Sequence, residues 1–81
     1  MEIKEFVHKC GEILSAAKPH LKSCEYKNGA EITDATEFDR IVKDDDYVVV
    51  TCENGYKYYV DVSGSSLCAI AEAIFSKMAH K

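Results

Sequence analysis

The sequence predicts an α+β fold: a small antiparallel sheet centred on a β-hairpin and packed against an N-terminal and a C-terminal helix. Three observations carry this. The stretch Tyr47–Val62, YVVVTCENGYKYYVDV, is two alternating runs joined at Asn54-Gly55, the strongest short-range hairpin signal. Residues 2 to 17 and 67 to 79 each repeat apolar side chains at three- and four-residue steps, the spacing of an amphipathic helix.

In chain order, Ile3, Phe6, Val7, Cys10, Ile13, Leu14 and Ala17 form the stripe of the first helix. Glu2 and Glu5 suit the positive end of its dipole. Pro19 disfavours helical geometry at Lys18 and ends the helix about there. Gly11, inside it, costs roughly 1 kcal/mol against alanine; it is either a close approach to the sheet or a tolerated defect. Asn28-Gly29 suggests a short first hairpin, Ser23–Lys27 with Ala30–Thr33, with a loop and one short strand as the alternative. Asp34 reads as an N-cap with Glu37 completing a capping box. Phe38, Ile41 and Val42 would then be the stripe of a helix ending near Lys43 and capping one end of the sheet. Asp44-Asp45-Asp46 suits neither helix nor strand and leads, exposed, into the main hairpin.

A two-residue type I′ turn at Asn54-Gly55 would pair Glu53 with Tyr56, Thr51 with Tyr58, Val49 with Val60 and Tyr47 with Val62. Those eight residues would face the core. Val48, Val50, Cys52, Lys57, Tyr59 and Asp61 would share the other, mixed face. Tyr47, Tyr56 and Tyr58 then pack between strands, while Tyr59 is open to contact. Ser65 or Ser66 caps the last helix, whose stripe is Leu67, Ile70, Ala71, Ile74, Phe75 and Met78; basic Lys77, His80 and Lys81 suit its C-terminal end.

Eighty-one residues give one domain, residues 1–81, with one modest core. With 47% hydrophobic and 30% charged residues the chain is an ordinary globular one. No apolar run approaches the roughly 20 residues that span a bilayer, and MEIKEFVHK is not a signal peptide. A cytoplasmic protein, in a bacterial host cell, is expected. Cys10, Cys24, Cys52 and Cys68 form no C-x-x-C pair and in that compartment are reduced, structural thiols. With His8, His20 and His80 they lack the close pairs of a zinc site, so no metal is expected. No phosphate-cradling glycine motif and no nucleophile–base–orienter set is present, so neither catalysis nor a cofactor is expected.

Charge is the informative feature. The chain carries −4 overall, but residues 25–61 hold ten acids against four bases while the two ends are slightly basic. That disfavours direct nucleic-acid binding, which wants a basic stripe, and suits an acidic face meeting a basic partner. Three adjacent aspartates repel one another and gain nothing unless met by a cation. The candidate partner-binding residues are Asp34, Glu37, Asp39, Asp44, Asp45, Asp46, Glu53, Asn54 and Tyr59. Duplex DNA carries one charge per roughly 1.7 Å of axis, and carboxylates on a rigid scaffold can imitate it. Against this stand a merely solvated acidic face, a homo-oligomeric module, such as a homodimer, joined through Val48, Val50, Cys52 and Tyr59, and a small metal or thiol enzyme.

The half of the chain from Tyr47 onward resembles the small anti-CRISPR proteins of phages and mobile elements, in particular an acidic inhibitor of type II-A Cas9. The shared features are a valine-rich strand, the turn Glu53-Asn54-Gly55, a return strand from Tyr58 to Asp61, the serine-rich link Ser63–Ser66 and a helix with Ile70, Ile74 and Phe75; the N-terminal helix also fits. The resemblance implies a DNA mimic that sets acids against the Cas9 arginines reading the PAM guanines, with Glu53 and Asn54 at the contacting tip. Two departures are visible: the turn is tighter and less acidic, and the C-terminal residues Lys77, His80 and Lys81 are basic.

Overall fold

A computed structural model describes residues 2–64 and 66–78, the last by its backbone. The elements are α1 (Ile3–Ala17), β1 (Leu21–Asn28), β2 (Asp46–Cys52), β3 (Lys57–Asp61) and α2 (Leu67–Met78), with two single 3₁₀ turns at Gly29–Glu31 and Glu37–Asp39. The strands form one antiparallel sheet in the order β1-β2-β3. Both helices lie on one face of it, where Val7, Cys10 and Leu14 of α1 and Ile70 and Ile74 of α2 meet Leu21, Cys24, Val48, Val50, Cys52, Val60 and Val62. The expected α+β class and both terminal helices are therefore found. Ser66 is the α2 cap: its Oγ accepts the Ala69 N–H at 3.2 Å. Ser65, Ala79, His80 and Lys81, named in the sequence reading, lie outside the described residues, as does the side chain of Met78.

Gly11 is a close approach. A Cβ there would stand 2.6 Å from the Cys24 backbone N, so any larger residue would push α1 off the β1 edge. Ser15 fastens the same contact by donating its hydroxyl to the Leu21 and Lys22 carbonyls.

The hairpin forms, one residue out of the expected register. Val48 stands opposite Val60, Val50 opposite Tyr58, and Thr51 opposite Lys57. The loop has three residues, Glu53, Asn54 and Gly55: the Gly55 N–H donates to the Cys52 carbonyl at 3.0 Å and the Cys52 N–H to that of Tyr56 at 2.8 Å. Gly55 has φ +87° and Asn54 keeps a negative φ, so this is a type I turn closed by a left-handed glycine, not type I′. Asn54 accepts the Tyr56 N–H on its side-chain oxygen at 3.0 Å, the local bond that suits asparagine to such a turn. A slip of one flips every side chain of one strand. Val48, Val50 and Cys52 thus line the core with Tyr58, Val60 and Val62, while Tyr47, Val49 and Thr51 face away. The expected assignment of the two β2 faces is overturned. The physical reason is burial: the expected register would have put Thr51 and Glu53 in the core, whereas the observed one fills it with apolar side chains only, each worth about 1.5–3 kcal/mol.

Two further expectations fail. Asn28-Gly29 does not close a hairpin; β1 runs eight residues and pairs with β2, Cys24 opposite Val50 and Asn28 opposite Asp46. Asn28 instead caps the first 3₁₀ turn, and Gly29 lies where a Cβ would meet the Val42 carbonyl oxygen at 2.0 Å. The Asp34–Lys43 helix is not formed either. Thr36, not Asp34, is the cap, with Asp39 as its third residue, and Arg40 at φ +53° stops the turn after Asp39. Phe38 and Val42 are exposed, because three apolar side chains bury too little to hold a helix of this length.

Candidate functional site: an acidic strap and the sheet end

Residues 29–45 cross the sheet face opposite the helices as a strap. Val49 and Tyr47 point to that face and are each only 4% exposed, yet neither belongs to the helix-side core; the strap covers them. Its ends are fixed by backbone, with the Gly29 N–H donating to the Asp45 carbonyl at 2.7 Å. Its middle is fixed by two side-chain contacts. The Val42 N–H donates to the Tyr47 hydroxyl at 2.9 Å. Asp34 takes the Lys57 ammonium on one carboxylate oxygen and the Tyr59 hydroxyl, at 3.3 Å, on the other. The register that put Lys57 and Tyr59 on this face is what makes the contact.

Asp34, Thr36, Asp39, Gly55, Tyr56, Lys57 and Tyr59 line a cleft of about 280 Å³ between strap and hairpin. Its chemistry is that of charges at rest. The bond from Lys57 holds the Asp34 carboxyl below the usual carboxylate range, and Asp34 in turn raises Lys57. Burial, then the Asp34 charge, raises the Tyr59 phenol. At neutral pH the three are a carboxylate, an ammonium and a neutral phenol, joined by charge and hydrogen bonding.

The second cluster is at the end of the sheet where β2 begins and β3 ends. Asp46 opens β2, its N–H donating to Ser63 Oγ at 2.7 Å and its carboxylate accepting from Asn28 Nδ2 at 3.1 Å. Asp61 closes β3 and accepts the Ser63 N–H at 3.0 Å, the main cause of its lowered pKa. Asp45 is raised, first by desolvation and then by the Asp61 charge and a hydrogen bond to it, with Asp44 and Asp46 adding smaller repulsions. Of the two, Asp45 therefore keeps its proton longer as pH rises, beside an ionised Asp61.

The candidate residues divide accordingly. Asp34 and Tyr59 meet each other inside the strap contact. Asp39 is spent on its own turn, accepting the Thr36 N–H at 2.8 Å and its hydroxyl. Glu37 and Asp44 are exposed, Asp45 and Asp46 are half-buried, and Glu53 and Asn54 stand exposed on the hairpin turn. They form no single pocket. Asp61, Lys57 and Ser63 were missed as members, since their partners Asp45, Asp34 and Asp46 lie far away along the chain. Among the described residues the ion pairs are Glu5–Lys9, His8–Glu12, Glu25–Lys27 and Asp34–Lys57. None of Glu37, Asp39, Asp44, Asp45, Asp46, Glu53 or Asp61 has such a partner there. Cys10, Cys24, Cys52 and Cys68 are free thiols, the last exposed. Among the described residues no three His, Cys, Asp or Glu side chains are grouped to hold a metal ion, and no helix is long and apolar enough to cross a membrane.

Comparisons with protein-family models, with curated proteins and with solved structures return no match.

Proposed function

We propose that this is a small acidic, non-catalytic protein that binds a basic surface of another protein, as an anti-CRISPR inhibitor that takes the place of DNA on a Cas9-type effector nuclease. The observation that carries the reading is the like-charge crowding at the sheet end. Asp44, Asp45, Asp46 and Asp61 converge without a cation among the described residues, and Asp45 is raised, first by desolvation and then by the Asp61 charge and the other acids. A row of arginines would relieve that repulsion on binding, which is how charge complementarity becomes affinity and a fast association rate. Glu53 and Glu37, both exposed, extend the negative field. The effector as target rests on the resemblance of the C-terminal half. The competing homo-oligomer face loses its basis, because Val48 and Val50 are fully buried under the helices and Cys52 nearly so.

The test is a binding titration of type II-A Cas9 loaded with guide RNA, with and without target duplex carrying the PAM. The protein is expected to compete with the duplex and to lose affinity steeply between low and physiological salt. Asp44→Asn, Asp45→Asn, Asp46→Asn and Glu53→Gln combined should weaken binding at least about tenfold. Unchanged affinity on neutralising all four would show that mimicry does not run through this face.

A further inference from the structure

The two edges of the sheet are not alike. On the β1 edge, α1 lies against the strand: the Ser15 hydroxyl takes the Leu21 and Lys22 carbonyls, and Gly11 brings the helix onto the Cys24 N. The β3 edge has no such cover among the described residues. The Cys52 N–H donates to the Tyr56 carbonyl and the Val62 N–H to the Asp46 carbonyl. The even-numbered residues of β3 therefore face β2, and Lys57, Tyr59 and Asp61 turn their N–H and C=O groups outward. The strap reaches Lys57 and Tyr59 only through their side chains, on one face. An open row of backbone donors and acceptors is a template for another strand.

We propose that this edge pairs with the β3 edge of a second copy of the chain, antiparallel about a two-fold axis at Tyr59, to give a continuous six-stranded sheet. The outward groups fall into that register without a shift. Tyr59 meets Tyr59 of the other copy, and Lys57 meets its Asp61 at both ends, so that the three outward residues of each strand become hydrogen-bonded pairs. The charges complement each other as a two-fold axis requires. Each ammonium arrives beside an Asp61 carboxylate that accepts from Ser63 in its own chain but has no cation there among the described residues, Asp45 being its charged neighbour. Lys57 then stands between Asp34 of its own chain and Asp61 of the other. The pairing shares Asp61 with the acidic face, and its test reads the protein alone, with no other partner present.

Sedimentation velocity from micromolar to millimolar concentration should show a mass rising from 9.1 kDa to twice that. Amide exchange of the wild-type protein should show the Tyr59 N–H becoming protected over the same range. Lys57→Glu and Asp61→Lys should each raise the dimer dissociation constant at least about tenfold, since each places like charges opposite at both ends. Mixed one to one, the two variants should dimerise again, because Glu at 57 then meets Lys at 61 and Lys57 meets Asp61. A protein that stays monomeric at millimolar concentration overturns the proposal. So does a dimer whose Tyr59 amide exchanges as fast as in the monomer, or a mixture of folded single variants that remains monomeric. If a variant fails to fold, the wild-type exchange experiment decides alone.

Discussion

Gly11 shows how one missing methyl group sets a helix against a strand. On propensity alone an alanine would stabilise α1 by roughly 1 kcal/mol. In place, its Cβ would meet backbone, the Cys24 N at 2.6 Å, with the Cys24 Cβ at 3.1 Å. Backbone cannot rotate away, so α1 would have to lift from the sheet and loosen Cys10 and Leu14, both nearly fully buried. Overpacking of this kind costs about 1–3 kcal/mol. Gly11→Ala is accordingly expected to lower the urea midpoint despite its better helix propensity; a raised midpoint would mean the helix can shift freely. The sequence marked Gly11 as an oddity but left its cause open, because propensity is local and the cause sits thirteen positions away on β1.

At the scale of elements, what the sequence showed and what it hid follow from how many residues had to agree. α1 and α2 were readable because six or seven apolar positions repeat the same spacing in each. The hairpin was readable as a hairpin, but its register was not. Two residues of turn chemistry argued for one pairing, and the apolar pattern of Val48, Val50 and Cys52 with Val60 and Val62 decided for the next. The strap was unreadable as such: its capping signal at Asp34 was real as a hydrogen-bonding group but was claimed by Lys57 and Tyr59, more than twenty residues away. The same contact predicts how the strap behaves. Its ion pair is partly exposed and screened by solvent, so it adds little to global stability. Its effect should be local. Asp34→Asn is expected to leave the thermal midpoint almost unchanged while speeding tryptic cleavage after Arg40 and Lys43 several-fold, by raising the population of a lifted strap. Equal cleavage rates would place the fastening at Tyr47 and the Gly29 bond instead.

For the whole molecule the balance of charge sets a stability window, and its sign can be worked out group by group. Asp34 and Asp61 are lowered in the folded state. Each contributes stability that is present above the unfolded carboxylate pKa and is lost as pH falls through the folded one. Lys57 is raised, so its share is present below the unfolded lysine pKa and lost only as alkaline pH passes the folded one. Asp45 is raised and acts in the opposite sense to the other two acids: its contribution is present below the unfolded carboxylate pKa and is lost as pH rises through the folded one. As pH rises through the raised Asp45 pKa the protein should therefore give up stability, as Asp45 ionises beside Asp61, while Asp34 and Asp61, both lowered, are already ionised and change nothing. A maximum near the unfolded carboxylate pKa is the expected shape. Asp45→Asn should raise the thermal midpoint at pH 7 and flatten the fall from that maximum, with the difference vanishing in acid. Added monovalent salt should raise the wild-type midpoint at pH 7 more than that of the variant, because screening acts on the same repulsion in a chain of net charge −4. Thermal melts at four pH values and two salt concentrations measure both. A wild-type midpoint that rises steadily to pH 7 and ignores salt would mean that the crowded aspartates at the sheet end are already compensated, and with that the charge argument for a basic partner would fall as well.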